Sequence, residues 1–130
     1  MQHPIKNAHG QLLATRWQFN RLVKNHNADV TVVGYMKPVV KWFTPDAQAT
    51  WLAVSLNPKT GMAFGLCDLG LGFPELGYIS INELLALRGR FGLPVERDMS
   101  MSESFRACSH NLSDWMNAAK RKQRIPSYIT

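Results

Sequence analysis

Five carboxylates, Asp46, Asp68, Glu75, Glu96 and Asp98, sit in the middle of a chain of 130 residues and are the side chains best suited to hold a divalent cation. A magnesium-dependent nuclease or phosphohydrolase needs two or more such oxygens on a rigid frame that water and phosphate can reach. Glu96 and Asp98 are two apart, so on a strand they share one face. Asp68, Glu75, Glu96 and Asp98 are therefore the candidate metal ligands. The competing expectation is structural and weighs more. Acids beside glycine and proline cap turns and helices, and Arg88, Arg90 and Arg97 lie close enough in sequence to pair with them.

A second chemistry belongs to the cations. Lys120, Arg121, Lys122 and Arg124 form a cluster near the end of the chain, with Trp115 and Tyr128 close by in sequence. Clustered cations bind polyanions by releasing counterions from phosphates, and an aromatic ring can stack on an unpaired base. These four residues are the candidate nucleic-acid contacts; the plainer reading is a solvated chain end, with Trp115 in the core. Cations dominate residues 1–43, where Asp29 is the sole acid, and residues 104–130, where Asp114 is the sole acid; acids outnumber them between. If the two ends lie on one side of the fold, Arg16, Arg21 and Lys24 extend the same surface.

Other chemistries find less support. The stretch Gly65–Gly77 lacks the spacing of a phosphate loop, and its acids would repel a phosphate; positive-φ turns within a sheet explain it better. The histidines His3, His9, His26 and His110 fall in loops and helix ends, and no serine or cysteine sits in a nucleophile elbow. Cys67 and Cys108 have no Cys-x-x-Cys spacing, so buried reduced thiols are expected rather than a disulfide or zinc site. A thiolate at Cys67 is further disfavoured by the charge of Asp68. The set Cys108, His110 and Cys67 is a remote metal option. No cofactor is expected.

The elements that must position these groups follow from periodicity. Leu12, Leu13, Phe19, Leu22 and Val23 predict an amphipathic helix of about four turns ending near Asn25. Val30–Val33, Val39–Phe43, Trp51–Leu56 and Met62–Cys67 read as strands, with a hairpin turn at Asn57–Gly61. Ser80 and Glu83 have capping-box spacing ahead of Leu84, Leu85 and Leu87, and Gly89 suits a helix end, so a short helix is expected over Ile81–Arg88. Leu93–Met99 reads as extended. Ser102, Ser104 or Ser113 can open a last helix whose stripe is Phe105, Cys108, Leu112, Trp115, Met116 and Ala119. The fold class expected is α+β: a single antiparallel sheet of four to five strands flanked by N-terminal, short central and C-terminal helices. One domain over 1–130 accommodates this, with a core of Leu13, Phe19, Val40, Phe43, Trp51, Val54, Phe64, Leu66, Tyr78, Leu84, Leu87, Phe91 and Trp115. The absence of a long apolar run or leader-like start points to a cytoplasmic protein without a membrane partner.

The order Pro38-Val39-Val40-Lys41-Trp42-Phe43-Thr44-Pro45-Asp46, Trp51, Phe64–Gly70, Pro74–Ser80, Glu83-Leu84, Leu87-Arg88-Gly89 and Gly92–Asp98 resembles domain of unknown function 2958, a bacterial family. The resemblance covers about half the chain, residues 38–99; residues 1–36 match weakly and the basic helical segment 100–130 extends beyond the usual end. It implies a small protein of plasmids, phages or integrative conjugative elements and carries no catalytic residues to transfer. The function expected is a non-enzymatic accessory protein of a mobile element, in which nucleic acid or a nucleic-acid-associated host defence protein is the partner. The alternative is a metal-dependent nuclease or phosphohydrolase using the central carboxylates.

Overall fold

The computed structural model describes residues 1–28, 30–100 and 110–129. Five antiparallel strands form one sheet in the order β4-β3-β2-β1-β5, with β1 at Val40–Phe43, β2 at Thr50–Asn57, β3 at Met62–Asp68, β4 at Glu75–Ser80 and β5 at Glu96–Arg97. Among the described residues three α-helices accompany it: α1 at Arg16–His26, α2 at Ile81–Ala86 and α3 at Leu112–Lys122. The α+β class and the single sheet are as expected.

Both faces of the sheet are covered. On one, Trp42, Trp51, Ala53 and Ile79 meet Ile5, Leu13, Leu22 of α1, and Ile81 and Leu84 of α2. On the other, Leu52, Val54 and Leu66 meet Leu112, Trp115 and Ala119 of α3, together with Ile125. The central strand β2 is buried over six consecutive residues, Trp51–Leu56. A register shift between Ala53 and Ser55 leaves Val54 unopposed and turns Leu56 to the α1 side, although it stands two residues beyond Val54. Such a bulge lets one strand feed both cores.

The local choices have identifiable causes. Helix α1 starts at Arg16, later than the periodicity predicts, because Thr15 and Gln18 form a reciprocal capping box. Leu12 instead bridges to Lys6, and Leu13 enters the core from the bend that follows. The segment Val30–Tyr35 is a 3-10 helix, which corrects the strand expected at Val30–Val33. Its Val33 and the following Met36 pack against the core on the α3 face, and this tertiary contact overrides the β-branched preference. Ser80 caps α2 as expected, its Oγ accepting from the Glu83 amide at 3.2 Å. The helix stops at Ala86, before Gly89: Leu87 is already extended. Helix α3 is opened by Asn111 and Asp114 in a second capping box. Ser102, Ser104, Phe105 and Cys108 lie outside the described residues.

Three residues expected in the core are exposed. Tyr78, Leu87 and Phe91 are 74%, 39% and 78% accessible. Tyr78 sits on the edge strand β4 with its ring against Phe64, and Phe91 lies in a loop with the Arg90 guanidinium over its ring. Phe19 and Phe64 are half-buried against the two cores, and Phe43 is also half-buried. The other seven are buried.

At Gly65 the β2 backbone leaves no room for a side chain: a Cβ there would lie 1.9 Å from the Leu52 carbonyl oxygen. Gly65→Ala is therefore expected to lower stability by roughly 2–4 kcal/mol, read from the urea midpoint. Gly72→Ala, at φ +88° but with open space around it, should cost only about 1–2 kcal/mol by the same measurement.

Candidate binding surface at the C-terminal corner

The four candidate nucleic-acid contacts, Lys120, Arg121, Lys122 and Arg124, are all exposed. They occupy the last turn of α3 and the residues after it, where cations also suit the helix dipole. Gln123 ends the helix in the left-handed conformation at φ 60°, and the Arg124 amide returns to the Ala119 carbonyl at 3.1 Å. Beneath this turn the helix is firmly seated. Leu112, Trp115 and Ala119 are almost wholly buried, so Trp115 is a core residue rather than a stacking platform. Tyr128 is 72% exposed and remains available to a ligand.

Asp68 fixes where this turn lies. It is 4% accessible at the end of β3, and its two oxygens serve different segments. Oδ1 accepts the Gly70 amide and Oδ2 accepts the Ile125 amide, each at 2.9 Å. One carboxylate thus closes the turn after β3 and anchors the chain as it leaves α3. Beyond it the β3–β4 connection turns at Gly70 and Gly72, both with positive φ, as the glycine content suggests. A Cβ on Gly70 would also press on Gln48 at 2.7 Å. The connection presents Leu69, Leu71 and Phe73 to solvent. Between it and α3 runs a cleft of about 630 Å³ bordered by Phe73, Glu75, Leu76, Met116, Lys120 and Gln123.

The carboxylates do not converge. Asp68, Thr50, Phe43 and Glu96 lie side by side on β3, β2, β1 and β5. Asp68 and Glu96 are therefore three strand spacings apart, about 14 Å. Glu75 opposes Cys67, so it projects from the opposite face to Asp68. Asp98 pairs with Lys41 at 3.5 Å and accepts from the Ser100 amide and hydroxyl. Asp46 caps a loop, accepting the Phe91 and Leu93 amides. Gly89 lies against that carboxylate, where a Cβ would overlap it at 1.6 Å. Among the described residues no group of three His, Cys, Asp or Glu side chains could hold a metal ion. Cys108 of the remote metal option lies outside them.

Of the three arginines expected to pair with these acids, Arg90 lies over the Phe91 ring and the other two bond to carbonyls. Arg97 donates from Nε to the Leu12 carbonyl, and Arg88 donates to those of Leu85 and Leu87. The Cys67 thiol is pushed up to about 11 by burial and then by Glu75. The charge acting on it is that of its cross-strand neighbour, whereas the expectation pointed to Asp68. Helices α1 and α3 cover opposite faces, so Arg16, Arg21 and Lys24 do not extend the surface at residues 120–124. The Asp68–Ile125 latch had no local sequence signal, because its partners are 57 residues apart.

A family model described as protein of unknown function (DUF2958) matches residues 13–126, most of the chain, including α1 and the basic turn. The chain belongs to that family. No curated protein and no solved structure matches it. No helix among the described residues is long and apolar enough to cross a membrane.

Replacing Asp68 with Ala strips the buried Ile125 amide and the part-buried Gly70 amide of their acceptor and is expected to lower stability by about 2–4 kcal/mol in urea unfolding. For Cys67 the sign follows from the direction of its shift. The folded state keeps the thiol proton up to about 11, whereas an ordinary thiol loses it near 9.0. The folded state thus holds the extra proton over that window, and stability falls as pH rises through it. Cys67→Ala should lose less stability than the parent between neutral pH and about pH 10.

Proposed function

We propose that this member of the family acts by binding nucleic acid, with Lys120, Arg121, Lys122 and Arg124 as its phosphate contacts, as a non-enzymatic accessory protein of a bacterial mobile element. The observation that carries the reading is the turn itself: four exposed cations within five consecutive residues, on a helix end held in place by Asp68. A backbone already held in place loses little conformational freedom on meeting a phosphate chain, and each cation in contact releases counterions. The exposed rings of Phe73 and Tyr128 add surfaces on which an unpaired base can stack.

A second target, a host defence protein, is favoured by a different observation. Leu69, Leu71 and Phe73 are each at least 60% exposed beside β4, which among the described residues is an edge strand that an extended segment could pair with. Lys120 on the rim of the adjoining cleft would favour an acid-bearing segment there. The alternative of a metal-dependent nuclease or phosphohydrolase has less support, because Asp68 is occupied by two amides and Glu75, Glu96 and Asp98 are spread over both faces and opposite sides of the sheet.

The quadruple variant Lys120→Ala, Arg121→Ala, Lys122→Ala, Arg124→Ala separates these readings. Fluorescence anisotropy with a labelled oligonucleotide of about 20 nucleotides should show at least about a tenfold loss of affinity near 0.1 M salt. Unchanged affinity in the variant would discard the basic turn as the contact.

A further inference from the structure

We infer that the cleft between α1 and the 3-10 helix is a binding site for the unpaired bases of single-stranded nucleic acid. The inference rests on the nucleic-acid reading for its ligand class but on separate residues. The cleft has a volume of about 870 Å³, within the range of sites that enclose small organic groups. Its walls include Trp17, Arg21 and Asn25 from α1, and Tyr35 and Lys37 from the chain that follows; buried Pro38 and Val39 contribute its apolar lining.

Trp17, Arg21 and Asn25 are spaced by four residues and so form one stripe of α1. The core-facing side of the same helix carries Gln18 and Leu22. Helix α1 therefore has a second face with its own pattern: a tryptophan, a cation and an amide whose Nδ2 is held by the Val54 carbonyl at 2.7 Å. Trp17 is 47% exposed, whereas Trp42, Trp51 and Trp115 are 1%, 6% and 2% exposed. Tyr35 is 77% exposed on the facing wall. The exposed parts of these two rings border one cleft and offer surface on which a base can stack, and Arg21 and Lys37 beside them supply cations for the phosphates. No carboxylate lines the cleft among the described residues. A base inside a duplex has both faces covered by its neighbours, so a cleft of this kind selects an unpaired strand.

The burial of the other three tryptophans provides the test, because Trp17 is the one whose emission a ligand can reach directly. The parent chain is titrated with a labelled single-stranded oligonucleotide of about 12 nucleotides, a duplex of equal length and adenosine monophosphate, reading tryptophan emission and anisotropy together. The single strand should quench the emission and bind about tenfold more tightly than the duplex or the mononucleotide. Trp17→Leu should remove the quench and weaken single-strand binding about tenfold. Arg21→Ala with Lys37→Ala, both at exposed positions, should weaken it while leaving the far-ultraviolet dichroism unchanged. Anisotropy that reports binding while the emission stays constant overturns the cleft and leaves the basic turn standing. A quench that persists with undiminished affinity in the quadruple variant at residues 120–124 supports the cleft and removes the turn. No binding of any oligonucleotide overturns both.

Discussion

The buried carboxylate of Asp68 is the constraint on which the arrangement of the C-terminal corner depends. Taking such a group out of water is costly unless its lone pairs are met, and here two backbone amides meet them. One belongs to the turn after β3 and the other to the chain leaving α3. The side chain thereby ties together segments that the sequence keeps far apart. It sets the direction in which the β3–β4 connection departs, and it stops the chain after α3 from swinging away from the sheet. The cations of residues 120–124 and the exposed Leu69, Leu71 and Phe73 become neighbours because of it. Apolar packing of Leu112, Trp115 and Ala119 on Leu52, Val54 and Leu66 provides most of the area that holds α3 down. Asp68 determines the position of its end.

The second organising feature is a sheet covered on both faces. Strand β2 serves two cores, and the bulge at Val54 lets it do so within eight residues. Because α1 and α3 settle on opposite faces, the cations at the two ends of the chain become two separate surfaces instead of one. The C-terminal surface is a cationic turn beside an apolar loop. The other is a cleft with aromatic walls. In the proposed function the cationic turn is suited to phosphates, whereas the aromatic cleft is suited to unpaired bases.

Much of the fold was legible in the residues. The meander from Val39 to Cys67 announces itself through alternating apolar residues and the Asn57–Gly61 turn, and Ser80 with Glu83 marks the start of α2. These signals are local. The misreadings concern positions whose environment is set by distant contacts. Val30–Val33 looks like a strand until the α3 face claims Val33 and Met36. Tyr78 and Phe91 look like core residues, but one stands on an edge strand and the other in a loop capped by Asp46. The Thr15–Gln18 capping box was legible in principle, since its spacing is that of Ser80 and Glu83; the apolar periodicity at Leu12 and Leu13 masked it. The basic turn was visible as a run of cations. The Trp17–Tyr35 cleft was not, because its walls come from two helices whose approach no local pattern encodes.

The salt dependence of single-strand binding by the intact chain addresses the central claim most directly. If four cations neutralise phosphates, the logarithm of the association constant should fall with the logarithm of salt concentration at a slope of about −3. A flat profile over the same salt range would contradict a phosphate-contacting surface and turn attention to the apolar edge of β4.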